Sequence, residues 1–492
     1  MSKTTGPPPR STLASGLLTA LSLAVVTGLS AAVGVVIARE FGRDAETDGF
    51  FAAFGVFLVL VLAASAVRVA VLPSLARSRN DETFGSVLAS YAVAVSVVAV
   101  PALALGLLAN DWVAGQLTGG LPANARETAA DALIFLVPAA VAHLFAALAA
   151  SALAAHDSYG TAAVGYALGS VLGLALILWR VGEDGIVVCA WGTLLNGAVA
   201  LAVPLAALAW RGRWGRWTRL SAGARLGELA RAAALPIALQ AFFVVCLRFA
   251  GGLGTGAVTS FTYAYFVAAA LVSVTASSLG MVSSVPLARV ALSPARASRH
   301  VVSMSLVSFA AVAAAAGVFA LVGDRIVHAA LGPAYEGGPG GEIGRLIVLL
   351  GPWMAVSIGV TITFPMLFVV ARERRLPALA VAALALHVSV AWAAVEAFEL
   401  DGAAVALTAS TLGVLVGLLL LLSPQVLAAG SRGLALGAVV TGGLALAAFG
   451  VAAAVLPRAA AAALGALLFA GLLLAARRLG LQQAWGYLRT LE

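Results

Sequence analysis

The chain has 492 residues, of which 62% are hydrophobic and only 10% charged, with a mean hydropathy of +1.05. A water-soluble domain carries roughly 25% charged residues, so lipid must solvate most of this surface. The net charge of +8 does not point to nucleic acid, because the basic residues fall in short segments between apolar runs, the topology signal of a membrane protein.

The first ten residues are polar and basic, ending Pro7-Pro8-Pro9-Arg10. The run that follows, Leu13 to Ala38, exceeds a signal-peptide core of roughly 7–15 residues and is read as a retained span. Apolar runs separated by charged or Gly/Pro-rich breaks predict about fourteen transmembrane helices over 12–38, 50–75, 85–109, 130–154, 159–179, 185–210, 233–252, 257–288, 301–322, 343–371, 377–396, 402–422, 434–456 and 459–478. A run of about 20 apolar residues suffices to span. The seventh and eighth are parted only by Gly251-Gly252-Leu253-Gly254-Thr255-Gly256, and the last two only by Pro457-Arg458. Cys189 and Cys246 lie inside apolar runs without paired spacing and read as small packing residues.

With the N-terminus in the cytoplasm, alternation puts 20 of the 29 Lys and Arg residues on the cytoplasmic side and 7 outside, leaving Arg68 and Arg248 within spans. That asymmetry predicts cytoplasmic termini. The predicted division is a cytoplasmic tail over 1–11, an N-lobe over 12–210, a cytoplasmic amphipathic link over 211–232, a C-lobe over 233–422, and two further helices with a cytoplasmic tail over 423–492. Trp214 and Trp217 alternate with arginines in the link, while Arg225, Glu228 and Arg231 share one helical face and Leu226 and Leu229 another, as in a helix lying in the headgroup layer. A faint repeat supports two six-helix lobes. The second span ends Pro73-Ser74-Leu75-Ala76-Arg77, and the eighth ends Pro286-Leu287-Ala288-Arg289. Parallel repeats of this kind meet at a substrate pathway in many transporters.

No Walker-type phosphate loop, zinc-ligand spacing or Gly-x-Ser-x-Gly turn occurs, and no soluble segment could form a nucleotide-binding domain. No catalytic residue, metal site or cofactor is expected. The five histidines are isolated, as helix-packing residues would be. Arg68 is the sharpest candidate. It lies roughly 27 Å of helix from Phe50 and about 13 Å from Arg77. A charge at that depth costs about 2.5 kcal/mol or more and usually faces a bundle interior or a cavity, although its long stem could also reach the headgroups. A guanidinium pairs with phosphate through two parallel hydrogen bonds. Arg248 sits near the end of its span, within reach of the interface. The hydroxyl-rich eighth helix, with Thr262, Tyr263 and Tyr265, is a further candidate lining, and hydroxyls of this kind also hold membrane helices together.

One polar turn carries six charges in ten residues, Arg39 to Asp48. Ala38-Arg39-Glu40-Phe41-Gly42, followed by Thr47-Asp48-Gly49-Phe50-Phe51-Ala52-Ala53-Phe54, resembles the signature Ala-Arg-x-Phe-Gly…Thr-Asp-Ala-Phe-Phe-x-Ala-Phe of the MurJ (MviN) lipid II flippases, in the multidrug/oligosaccharidyl-lipid/polysaccharide exporter superfamily. Leu72-Pro73, Phe249-Ala250, Gly256, Val258 and Tyr263-Ala264 also match, as do the fourteen-span count and the link after helix six. The resemblance implies an all-α integral membrane fold with two pseudo-symmetric six-helix lobes plus two C-terminal helices that form a lipid-side groove. It implies alternating access that carries a lipid-linked saccharide from the inner to the outer leaflet of the bacterial cytoplasmic membrane.

The chain departs from the family where the family grips an anion. The arginines of its helix-one motif become Thr27 and Val33 and its aspartate Gly34, and the double arginine of helix two is missing from the region Leu58 to Arg68. The Asp-Arg of helix eight becomes Tyr265-Phe266, and Leu235 to Gly252 contains no acid for a coupling cation. Arg68 and Arg248 are the cations left to hold a substrate. Two other functions compete with a flippase for a lipid-linked saccharide. A cation-coupled multidrug exporter usually has twelve spans and an intramembrane carboxylate. A non-transporting scaffold would instead recruit cell-wall synthesis proteins.

Overall fold

The computed structural model describes residues 28–78, 83–156, 158–211, 221–277, 293–370 and 372–475. The described residues are nearly all helical and contain no strand. Among the described residues, twelve helices are long and apolar enough to cross a membrane. The difference from fourteen has two sources. Much of the predicted 12–38 span lies outside the described residues, as do the 212–220 part of the link, Pro286 of the repeat and both terminal tails. The predicted 377–396 and 402–422 helices are both present but follow one another in a single long element, parted only by the kink at Glu399.

Two compact units divide the chain. One comprises the residues up to Phe41 with Ala53–Gln116 and Arg126–Ile237; the other comprises Gly42–Ala52, Leu117–Ala125 and the residues from Ala238 onward. The first contains a helix over 28–40, α1, most of α2 (Ala45–Arg77), α3 (Phe84–Leu108), and α4 (Asn110–Leu117) up to Gln116. It continues with α5 (Ala123–Ala155), α6 (Tyr159–Asp184), α7 (Val188–Arg211) and the start of α8 (Ala222–Ala250). Its core joins Val67, Val71 and Leu75 of α2 to Tyr91, Ala94 and Val95 of α3 and to Leu144, Leu148 and Leu153 of α5. Leu229 of α8 is buried in the same cluster, with Leu226 packed against it. Arg225 donates to both carboxylate oxygens of Glu228 (2.9 and 3.1 Å), and the Tyr91 hydroxyl donates to Glu228. The start of α8 thus packs its apolar face inward, and α8 runs unbroken to Ala250.

The α6–α7 pair shows why the sequence places Gly165, Gly169 and Gly173 four residues apart. A Cβ at Gly169 would stand 2.5 Å from the Asn196 carbonyl oxygen, and one at Gly173 2.5 Å from that of Gly192. Small residues at this spacing let membrane helices approach backbone to backbone.

In the second unit α8 ends in a short 3-10 turn, Gly251–Leu253, and Gly256 (φ +88°) caps α9 (Ala257–Val272). The predicted separation of helices seven and eight therefore exists, and glycines make it because a positive φ costs them little. A π-helical stretch, Ser273–Ser277, follows. α10 (Pro294–Leu331) and α14 (Pro424–Val455) both open on Ser-Pro. The serine oxygens accept from Arg296 N (3.3 Å) and Val426 N (3.1 Å), and proline fits the first helical position because its missing N–H would have no partner there. The predicted 343–371 helix is two elements, α11 (Gly338–Leu349) and α12 (Gly351–Val369), parted before Gly351-Pro352. α13 (Leu376–Leu422) folds at Glu399 (φ 52°, ψ −133°). α15 (Arg458–Ala475) follows the Pro457 break. Phe449 of α14 and Phe469 of α15 are buried together.

Candidate functional site

Each unit holds a polar constellation relevant to function. In the second unit it is built on the charged turn. Gly42 takes φ +68°, and the Asp44 side chain then caps α2 by accepting from Thr47 N at 2.8 Å. This presents Asp48, wholly buried, to the start of α9. One Asp48 oxygen accepts from Gly256 N at 2.5 Å. The other accepts from Thr259 N at 2.8 Å and from Thr259 Oγ1 at 2.5 Å. A carboxylate belongs at a helix N-terminus, where backbone N–H groups lack partners and the helix dipole favours negative charge. Arg43 Nε donates to the Gly256 carbonyl at 2.9 Å and Arg43 Nη2 to Glu342 at 2.7 Å. The Tyr335 hydroxyl, its pKa pushed up by burial, donates to the Gly42 carbonyl at 2.9 Å.

Phe51 meets Tyr263 edge-on at 5.3 Å, and Tyr263 meets Tyr335 at 5.7 Å. Phe50 and Thr47 are buried beside them, Arg39 is exposed and Phe41 half-buried. The turn is therefore a staple between the start of α2 and the start of α9. Its distant partners, Glu342, Tyr335 and Thr259, were not selected from the sequence. Glu342 lies 299 residues from Arg43, a separation at which no local pattern operates.

The residues predicted to touch substrate separate. Thr262, Tyr263 and Tyr265 are all buried in the second unit. Tyr265 stacks on Phe243 at 4.1 Å and donates to Gln240 at 3.3 Å. Arg248 donates to the Gly119 carbonyl at 2.8 Å. Arg68 falls in the first unit and is exposed. Its guanidinium carbon sits 4.7 Å from the ring centroid of Tyr166 on α6, and among the described residues it has no hydrogen bond or ion pair. Nine residues separate Arg68 from the end of α2, and seven separate Tyr166 from the start of α6, so both lie roughly 10–13 Å from those ends. Tyr166 was not picked out from the sequence; an aromatic seven residues into an apolar helix gives no signal by itself.

Among the described residues, no group of three or more His, Cys, Asp or Glu could hold a metal ion. His387 is wholly buried and its two ring nitrogens are taken up by Ser410 Oγ (2.8 Å) and the Phe242 carbonyl (2.9 Å), which ties α8 to both arms of α13.

Comparisons with known proteins bear on this geometry. The family model described as "Lipid II flippase MurJ" matches residues 37–469. Among solved structures, a lipid II flippase MurJ in an inward closed conformation superposes with a TM-score of 0.73 at 12% identity, covering 93% of this chain and 98% of that one. An inward-facing multidrug resistance MATE family transporter of the MOP superfamily gives a TM-score of 0.63 at 16% identity, covering 84% and 99%. A MOP superfamily transporter from Pyrococcus furiosus gives 0.53 at 18%, covering 87% and 96%. At these identities the structural likenesses speak to fold alone. No curated protein sequence matches the chain.

Proposed function

The chain belongs to the lipid II flippase MurJ family, and from that premise we propose that it moves a lipid-linked saccharide of the cell envelope from the inner to the outer leaflet by alternating access. The observation that carries the reading is the family match across residues 37–469. The charged turn that signals the family in sequence also forms a closed hydrogen-bond network in the second unit. The substrate class is a phosphate-linked lipid, lipid II or a related polyprenyl intermediate, and Arg68 is its anion-binding group. Arg68 supports that role because it is an exposed guanidinium whose donors meet no acceptor among the described residues. Thr262, Tyr263, Tyr265 and Arg248 shape the fold around the pathway in this proposal, consistent with their burial or their tie to the chain.

The test is leaflet exchange in proteoliposomes, using a fluorescent polyprenyl-diphosphate disaccharide and a membrane-impermeant quencher. The intact chain should expose the label. Arg68→Gln should slow exchange roughly 10- to 100-fold, the worth of hydrogen bonds from a charged donor, with unchanged expression and melting temperature. Unaltered exchange in Arg68→Gln would remove Arg68 from the site. Absence of exchange, with efflux of a lipophilic cation, would favour the multidrug-exporter function that the shared fold also permits.

A further inference from the structure

The ring of Tyr166 and the guanidinium of Arg68 form the end of a ladder. Tyr166 stacks on His143 of α5 with ring centroids 6.0 Å apart and planes 14° from parallel. His143 in turn meets Phe57 of α2 at 6.0 Å, with planes at 69°. Phe57 and Arg68 are eleven residues apart on α2, three helical turns, and so share one face. The rise between them is roughly 16 Å, which the ladder's steps of 4.7, 6.0 and 6.0 Å fill. α2 therefore holds both ends, while α5 and α6 supply the rungs, and Tyr166 is fixed from behind by His143.

The contact type matters for what Arg68 can do. A guanidinium above an aromatic face is held by the ring's negative quadrupole. Its N–H donors lie in the guanidinium plane and are not consumed by that contact. A carboxylate partner would hold the group equally well but would occupy the same donors. Among the described residues none does. The phenol of Tyr166 takes no part in holding the cation, because its oxygen is buried and has no hydrogen-bond partner.

We infer that Tyr166 is a positioning residue, whose ring holds Arg68 in place with its donor edge open to a diphosphate. The inference rests on the reading of Arg68 as the anion-binding group and adds how a lone arginine can serve. A fork of parallel donors fits phosphate oxygens, but only if the long side chain is held still. Tyr166 supplies that restraint without competing for the donors.

The test uses the purified full chain in detergent micelles, with two probes measured by titration calorimetry. Farnesyl diphosphate represents a lipid headgroup and inorganic pyrophosphate a free anion. Tyr166→Leu should weaken diphosphate binding roughly three- to tenfold, the range of a partly exposed cation–π contact. Tyr166→Phe and Tyr166→Trp should bind within about twofold of the parent, and Tyr166→Phe should melt no lower, since it deletes an unpartnered hydroxyl. In an Arg68→Gln background, Tyr166→Leu should change the residual binding by less than about twofold, because no cation remains for the ring to hold. That loss of coupling separates positioning from general packing. A preference for farnesyl diphosphate identifies a lipid-linked ligand, and equal affinities identify a free one; both leave the assignment of Tyr166 standing.

The inference is overturned if Tyr166→Leu binds like the parent or loses equally in both backgrounds. If Arg68→Gln binds both probes like the parent, the reading of Arg68 itself fails. If Arg68→Gln loses binding while Tyr166→Leu does not, that reading stands and only the role of Tyr166 falls.

Discussion

Asp48 is fully buried and accepts three hydrogen bonds, two of them from the backbone of the α9 start. Burying a carboxylate is costly unless its lone pairs are met, and here the unpaired N–H groups of a helix terminus meet them. Removing it strands three donors in a dry site. Asp48→Ala should therefore lose about 3 kcal/mol or more, at roughly 1–3 kcal/mol for each unmet group, and should melt well below the parent in detergent. Thr259→Val, which removes only the hydroxyl donor, should lose about 1 kcal/mol, and Thr259→Ser should lose little. A parent-like melting temperature for Asp48→Ala would show that the network is not what holds the turn. The sequence made Asp48 visible as part of a recognisable turn. It could not reveal what Asp48 binds, because Gly256 and Thr259 lie 208 and 211 residues away. Arg68 shows the reverse. Its place within an apolar span was legible from charge and helix rise alone, whereas Tyr166 became visible only when α6 was laid beside α2.

At the scale of elements, hydrophobic runs and breaker residues placed most helices within a few residues, because a membrane span must be both long and apolar. They ran two helices together at Gly351-Pro352, and they parted the arms of α13 correctly although the breaker there is neither Gly nor Pro. Glu399 joins the two arms of α13 with φ 52° and ψ −133°, a backbone region that a side chain enters only at a cost of about 1–3 kcal/mol. Nothing in Glu396 to Asp401 marks such a residue beyond a local loss of hydropathy. Gly402 lies just past it, where an added Cβ would collide with the Ala394 carbonyl group. The turn is tight, and one residue at its tip is strained. Glu399→Gly should therefore stabilise the chain by about 1 kcal/mol, the strain relieved less the 0.5–1 kcal/mol of extra unfolded-state entropy that glycine brings. Gly402→Ala should destabilise it, by roughly 1–3 kcal/mol of overpacking. Melting curves of both variants check this. A less stable Glu399→Gly would mean that the Glu399 side chain contributes more than its backbone conformation costs.

For the whole molecule, the family membership and the all-helical membrane fold were readable from one signature between Ala38 and Phe54 and from overall hydropathy, because both are properties of local sequence. The substrate was not, since the arginines that the resemblance leads one to expect are absent, with Thr27 and Val33 in helix one and no arginine pair in the region Leu58 to Arg68. Sidedness lies between these two cases. It follows from a count over the entire chain, 20 Lys and Arg against 7, and the positive-inside rule turns that count into an orientation. We propose that the charged turn at Arg39 to Asp48 faces outward and Arg372 to Arg375 the cytoplasm. Two exposed positions can report it. Glu46 follows the Asp44 cap and Arg375 immediately precedes α13, and both are exposed. The native thiols, Cys189 and Cys246, are both buried, so they need not be removed before a reporter is introduced. A membrane-impermeant maleimide should label Glu46→Cys in intact cells and Arg375→Cys only after the membrane is permeabilised. Labelling of Arg375→Cys in intact cells, with Glu46→Cys protected until permeabilisation, would invert the topology. The charged turn would then sit on the cytoplasmic face, and the proposed orientation would have to be abandoned.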